Sequence, residues 1–329
     1  MKPILFVGLV LLGTQLVLAQ ETPAAPDPMA GAKARLATAL EKTATLRDVA
    51  FAAKWGPAED DDADAAATAQ QLGMMQSGKA SGSWHDGLLH VRFEGDAGDE
   101  LAMSGRFAIA KDTNNDWCAR STRFADGNAT SFVPDPERLL RLLAGMDLAV
   151  VHRAVGTLDE RPVEILSVAL NTDQVADLAW SDAIPDTVTN GGAFRLALMA
   201  AAGGGARAAA PRPDATVDIA ITLDPALGLI QRVQFRSWTK ANDGQRVFFR
   251  GGAGAIRVVT GGGNRNRNEK DDTDDADKTD AKAPLQYEDG LPQRSRKKMD
   301  VNDLDVRLTD HGTHKAPDLG AAAARLLRR

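Results

Sequence analysis

The sequence predicts an α+β fold in which an antiparallel sheet turns one apolar face toward a few helices. Three observations predict it. Thr216 to Lys240 reads as two alternating strands around a turn, Gly82 to Phe124 reads as a meander of short strands, and a leucine-rich segment after Asp135-Pro136 reads as a helix with a strong apolar side. In the first strand of the hairpin, Val217, Ile219, Ile221 and Leu223 alternate with Asp218, Ala220 and Thr222. A period of 2 sends the apolar set to one face of a pleated sheet. Asp224-Pro225 and Gly228 supply turn chemistry, and the return strand places Val233 and Phe235 opposite Arg232, Gln234 and Arg236. One face of this sheet is therefore apolar and the other is wet.

The chain has 329 residues and a formal charge of −6, enough for one large domain or two small ones. Its start reads as an export signal. Lys2 gives the positive end, Ile4 to Leu18 the apolar core, and Val17-Leu18-Ala19 the small residues that predict cleavage after Ala19. The apolar run is short for a membrane span of about 20 residues, so no stable span is expected after cleavage; an uncleaved anchor is the rival reading. The expected location is exported, periplasmic or secreted. Cys118 is the single cysteine, which excludes an intrachain disulfide and a lipid-bearing cysteine after the apolar core. Set between Trp117 and Ala119 in a strand, it reads as a small buried residue. The mild acidity argues against nucleic acid as a partner.

Residues 20–31 read as a flexible terminus. Ala32 to Leu46 follows as an amphipathic helix with Leu36, Ala39, Leu40 and Thr43 on one stripe. Asp48 to Trp55 alternates as a strand. Pro57 to Ser77 holds Glu59, Asp60, Asp61, Asp62 and Asp64. It lacks the alternate ligands, central glycine and distal glutamate of a calcium loop, so a solvated insertion explains it. Asp86-Gly87 marks a hairpin turn. Leu89, Val91, Phe93, Leu101, Met103, Phe107 and Ile109 carry the apolar alternation through the meander. Asp135 caps the leucine helix with Pro136 at its first position, and Gly145 is its expected stop. Ala149–Val155 and Arg161–Leu170 are read as paired strands joined through Gly156–Glu160, Asn171-Thr172 as the cap of a helix to about Trp180, and Gly192–Ala202 as a second helix. Gly203–Pro213 is a low-complexity linker. A strand is expected near Gln245–Arg250. Gly261–Lys298, glycine-rich, charged and poor in large apolar residues, is expected to be disordered. It would be an insertion between strands of one sheet, at Ala253–Thr260 and Val301–Leu308. Asp318–Arg329 is read as a short, helical tail.

The order of these pieces, Ala32–Trp55, then Asp135–Leu170, then the aliphatic hairpin Thr216–Trp238 with its Leu-Asp-Pro-x-x-Gly-Leu turn, resembles the periplasmic lipoprotein-carrier family of LolA/LolB-like and LppX-like fold. The likeness covers somewhat under half of the chain and is one of architecture rather than of motif. It implies a curved antiparallel sheet, an open half-barrel, wrapped around helices, with acyl chains held between them. It also implies a single domain over residues 32–260 and 299–316. The acidic 57–77, Gly/Ala 203–213 and 261–298 insertions depart from the compact members. No arginine here aligns with those of the carriers, so no cargo-gating role is transferred.

Catalytic patterns are missing from the sequence. There is no G-x-S-x-G elbow, zinc-type H-E-x-x-H or phosphate loop, and no cofactor or metal is expected. His311 and His314, with Asp310 and Asp318, form the one histidine cluster, but Gly312 and Pro317 oppose the helix that would converge them. Arg294 to Lys298 reads either as an anionic-headgroup contact or as an exposed charged linker. The candidate lining for a hydrophobic ligand is Trp55, Phe93, Phe107, Leu139, Leu143, Ile219, Ile221, Val233 and Phe235. The simpler reading of the same residues is that they fill the core. The sequence therefore leaves two functional readings: an exported, non-catalytic binder or carrier of a lipid or other hydrophobic ligand, and an interaction module of the envelope, with a protein partner and a solid core.

Overall fold

The computed structural model describes residues 28–58, 78–94, 100–105, 107–112, 114–120, 132–181, 183–185, 188, 215–240, 247–250, 257–260, 285–294 and 299–327. The expected export signal, residues 59–77 of the acidic insertion, the Gly192–Ala202 helix and the Gly/Ala linker lie outside them, while Pro57 and Ala58 continue from β1. The helix α1 (Pro28–Ala44) leads into the strands β1 (Asp48–Pro57), β2 (Gly78–His85), β3 (Leu88–Glu94), β4 (Glu100–Ser104), β5 (Phe107–Lys111) and β6 (Trp117–Arg120). Then come α2 (Pro136–Ala144), β7 (Ala149–Leu158), β8 (Arg161–Ala169), α3 (Thr172–Trp180), β9 (Ala215–Asp224) and β10 (Leu229–Lys240). The last elements are β11 (Val247–Arg250), β12 (Arg257–Thr260), β13 (Tyr287–Glu288), β14 (Leu291–Pro292), β15 (Met299–Thr309) and α4 (Gly320–Leu326).

Eleven strands form one curved, open antiparallel sheet in the order β6-β5-β4-β3-β2-β1-β15-β10-β9-β8-β7. Seven of its neighbours are hairpin or meander partners, consistent with turns such as Asp86-Gly87, whose positive φ values of 47° and 80° define a two-residue primed turn. The β7–β8 link is tighter than Gly156–Glu160: β7 continues to Leu158, and Asp159 and Glu160 alone make the turn at φ 49° and 65°. β15 is the exception to local pairing. It comes from near the end of the chain and lies between β1 and β10.

The segment around Arg257–Thr260 does not share that sheet. β12 pairs with β11 in a separate two-stranded ribbon, whereas β15, eleven residues long with Leu304, Val306 and Leu308 alternating, enters the large sheet. Within the stretch expected to be disordered, residues 285–294 are folded. β13 and β14 make a hairpin around Asp289-Gly290, another primed turn at φ 49° and 80°. Its anchors are supplied by other strands, and composition cannot register them. Ser167 Oγ donates to the Gly290 carbonyl, Arg294 forms two bonds of 2.9 Å to Asp218, and Tyr287 stacks on His152 with ring centroids 4.1 Å apart. This strap lies on the convex face of β7–β10. A Cβ on Gly290 would come within 2.4 Å of Ile165, so only glycine fits there.

The concave face carries the main core. Val49, Phe51, Ala53 and Trp55 of β1, Val217, Ile219, Ile221 and Leu223 of β9, Val233 and Phe235 of β10, and Leu304, Val306 and Leu308 of β15 all point into it. α1 fills the space above β7 and β10 with Ala32, Leu36, Ala39 and Leu40, and α2 packs on α1 through Leu139, Leu140 and Leu143. The predicted caps are present: Asp135 accepts from the Arg138 N–H at 3.0 Å, and Asn171 with Gln174 forms a complete capping box on α3. Thr43 belongs to the buried stripe of α1 because its hydroxyl is needed. A bulge between Ile230 and Arg232 interrupts the β9–β10 ladder, and the Ile230 N–H donates to Thr43 Oγ1 at 2.9 Å. A buried donor that the sheet leaves unpaired is thereby satisfied.

Two glycines let the concave aromatics lie flat. Gly78 faces Trp55 and Gly82 faces Phe51 across β1–β2. A Cβ on Gly78 would meet the Trp55 ring at 2.3 Å, and one on Gly82 would meet the His90 carbonyl oxygen at 2.1 Å. Gly82→Ala is therefore expected to lower stability by about 1–3 kcal/mol through overpacking. Phe235→Ala, at a site with 0% exposure, should lower it by about 3–5 kcal/mol through a cavity. Urea unfolding followed by tryptophan fluorescence checks both; an unchanged midpoint for Gly82→Ala would contradict the close approach.

Candidate functional site

The concave face is not uniformly filled. Over β9, β10 and β15 the side chains are almost wholly covered: Ile219, Ile221 and Phe235 are buried completely, and Val233 nearly so. Leu139 and Leu143 of α2 are equally buried. These six candidate lining residues come together as one packed core.

Toward β3 and β4 the cover thins. Phe93, Leu101 and Met103 are half-buried on the concave side of these strands, and Phe132 joins them from the segment before α2. Trp55 marks the border. Its ring meets Phe93 edge-on at 6.5 Å and Phe132 edge-on at 5.1 Å. Edge-to-face geometry is the favoured arrangement for aromatic rings, so the three form a fixed corner beside the half-buried aliphatic strip. Phe107 stands apart from this group. It has the same strand parity as Ile109, which packs with Ala102 and Ala323 of α4 on the convex side. The Gly105 turn, at φ 56°, precedes Phe107, and the pairing Ser104 with Phe107 fixes this parity.

Three carboxylates are clamped by cations at separate places on the sheet. On the convex face Glu100 accepts from His90 at 3.0 Å and Arg92 at 2.8 Å, and it pairs with Lys111. Burial works to raise its pKa, but Lys111, Arg92 and His90 together outweigh burial and hold it at about 2. Burial also lowers the His90 pKa, against the pull of Glu100, so His90 is neutral at pH 7. On the concave face Glu164 accepts from Arg35 of α1 at 2.6 and 3.2 Å and also from Arg153 of β7. Burial again favours the neutral acid, and the two guanidiniums overcome it, so Glu164 stays ionised with a lowered pKa. Near the strap Asp218 accepts from Trp238 Nε1 at 2.9 Å as well as from Arg294. Arg232–Asp305 and Arg236–Asp303 add two bidentate pairs at 2.8–2.9 Å across β10 and β15.

None of these clusters presents a nucleophile beside a base. His311, part of the one histidine cluster seen in the sequence, makes a 2.9 Å bond with the Ile230 carbonyl, and His314 lies 3.9 Å from Asp310. Among the described residues no group of three or more acidic, histidine or cysteine side chains converges as a metal site. Cys118 is half-buried rather than buried, with its thiol 3.6 Å from Asp112. Arg294 is spent on Asp218, and the rest of the basic run lies outside the described residues. Sequence reasoning missed Phe132, Arg35, Arg153 and Glu164. Arg35 and Glu164 are 129 residues apart, and no local pattern links them.

No protein-family model matches the sequence, and no curated protein matches it. Among solved structures, the chain is similar to LprF from Mycobacterium bovis, with 9% identity and a TM-score of 0.36 over 87% of this chain and 95% of that one. It is similar to the lipoprotein LppX from Mycobacterium tuberculosis, with 9% identity and a TM-score of 0.34 over 87% and 98%. A LolA superfamily protein from Nitrosomonas europaea gives 9% identity and a TM-score of 0.25 over 87% and 95%. At such identity a likeness concerns the fold, and it assigns no residue a role. Among the described residues no helix is long and apolar enough to cross a membrane.

The Glu100 clamp makes acid stability testable. The unfolded carboxyl protonates near its ordinary value of 4.5, the folded one near 2. Protons thus bind the unfolded chain preferentially across that window, and stability falls as pH drops from about 4.5 to about 2. Glu100→Gln should flatten this part of the urea-midpoint profile and also lower stability at pH 7, where His90, Arg92 and Lys111 lose a charged acceptor. Superimposable profiles would show that the clamp contributes nothing.

Proposed function

We propose that this protein is an exported, non-catalytic binder or carrier of a lipid or similar hydrophobic ligand in the cell envelope. The observation that carries the reading is the half-buried apolar strip of Phe93, Leu101, Met103 and Phe132 on the concave side of the sheet, next to the Trp55 corner. Ligand sites for apolar molecules are concave, apolar and largely pre-formed. Each methylene placed against such a strip contributes about 0.8 kcal/mol, so one acyl chain suffices for useful affinity. The apolar start of the chain, Ile4 to Leu18 after Lys2, supports export as the setting.

A second reading is favoured by the dense packing of Ile219, Ile221, Val233, Phe235, Leu139 and Leu143. If the half-buried strip is only the margin of that core, the protein is an interaction module of the envelope with the same architecture. Mass spectrometry of organic extracts of the purified native protein, together with uptake of a fluorescent fatty acid, separates the two. The binder reading expects a co-purifying lipid and saturable uptake, and Met103→Glu should weaken uptake by about tenfold or more by placing a charge on the strip. Absence of both co-purifying lipid and saturable uptake would remove the binder reading and leave the module, and uptake indifferent to Met103→Glu would remove the strip as the site.

A further inference from the structure

A second apolar recess lies at the other end of the sheet order, on the flank of α1. Its volume is ≈ 260 Å³, and it is lined by Ala34, Arg35, Thr38 and Ala39 of α1 and by Leu223, Pro225 and Gly228 at the β9–β10 turn. β9 is six strands away from β4 in the sheet, so this recess is separate from the strip proposed above. The helical wall of the recess runs from Ala34 to Ala39, a rise of about 7.5 Å at 1.5 Å per residue. One turn beyond Ala39, Lys42 ties the helix to the β9–β10 turn by donating to the Leu227 carbonyl at 2.6 Å.

The Arg35 end is electrostatically unbalanced. Arg35 and Arg153 share the single carboxylate of Glu164, which is 5% exposed, while the two guanidinium side chains are 46% and 41% exposed. One acid neutralises one of the two bases, and among the described residues no second acid bonds to either guanidinium, so N–H donors remain open toward solvent. The strand register puts Val155, Glu164 and Leu223 in one row across β7, β8 and β9. Val155 is 75% exposed and Leu227 49% exposed, so apolar surface continues on both sides of the charged pair.

We propose that this recess binds a free single-chain amphiphile with an anionic head. The carboxylate of a medium-chain fatty acid is received by Arg35 and Arg153, and its tail lies along Ala34, Thr38, Ala39, Leu223 and Pro225. The charge surplus selects the anion, because charge-assisted bonds from guanidinium are about twice as strong as neutral ones. The short apolar trough selects a tail of limited length.

The test uses the full chain and three probes that differ in the head group alone: decanoate, decanol and decylammonium, each below its micelle concentration. Calorimetry should show decanoate binding about tenfold or more tighter than decanol, and decylammonium weakest. Arg153→Gln should remove most of that preference while Arg35 keeps Glu164 paired. Thr38→Trp, at an exposed helix position, should fill the trough and abolish binding of all three probes. Amide NMR shifts on adding decanoate should cluster at Ala34, Thr38 and Gly228. Equal affinity for decanoate and decanol, a preference unaltered by Arg153→Gln, or shifts confined to Phe93 and Met103 would overturn the proposal. So would binding seen with phosphatidylglycerol vesicles but not with free decanoate.

Discussion

The structure depends on burying the apolar concave face of an open sheet, and α1 is the element that does most of this. An antiparallel sheet of eleven strands offers far more apolar surface than its neighbours in the sheet can cover. Ala32, Leu36, Ala39 and Leu40 fill the space over β7 and β10. Thr43 then fixes the helix by taking up the Ile230 N–H that the β10 bulge leaves free. The helix and the bulge are therefore one device. Without the bulge the hydroxyl would lack its donor, and without the hydroxyl a buried N–H would be orphaned at a cost of about 1–3 kcal/mol.

This arrangement divides the concave face. On the β9, β10 and β15 side, helices and strands are in full contact and the residues there are core. On the β3 and β4 side, Phe93, Leu101 and Met103 are only half-covered, and there an apolar chain can be added. The division follows from helix placement. α1 and α2 pack on one another and leave the meander side less sheltered.

The convex face is organised by charge rather than by burial. Arg232–Asp305, Arg236–Asp303 and Arg294–Asp218 are bidentate pairs, which fix geometry as well as charge. The strap of β13 and β14 is held against this face by such a pair, by the Ser167 hydroxyl and by the Tyr287–His152 stack. Its apolar content is small, so its order comes from partners rather than from its own composition. That explains why a stretch poor in large apolar residues contains a folded hairpin.

Local rules were sufficient for the elements. Alternation at period 2 located β1, β3, β9 and β10, Asp135-Pro136 and Asn171-Thr172 located two helix starts, and Asp86-Gly87 located a hairpin. Each of these depends on residues a few positions apart, and a sequence displays such spacing directly. The one-sided hydrophobicity of the sheet was also legible, for the same reason. What the tertiary structure decided is which strands and side chains meet. Examples are the insertion of β15 between β1 and β10, the placement of β12 in a separate ribbon, the position of Phe107 away from the other lining candidates, and the meeting of Arg35, Arg153 and Glu164. Partners such as Arg35 and Glu164, 129 residues apart, or β1 and β15 are selected by the assembly of the whole sheet, and no window of sequence contains the competition that selects them.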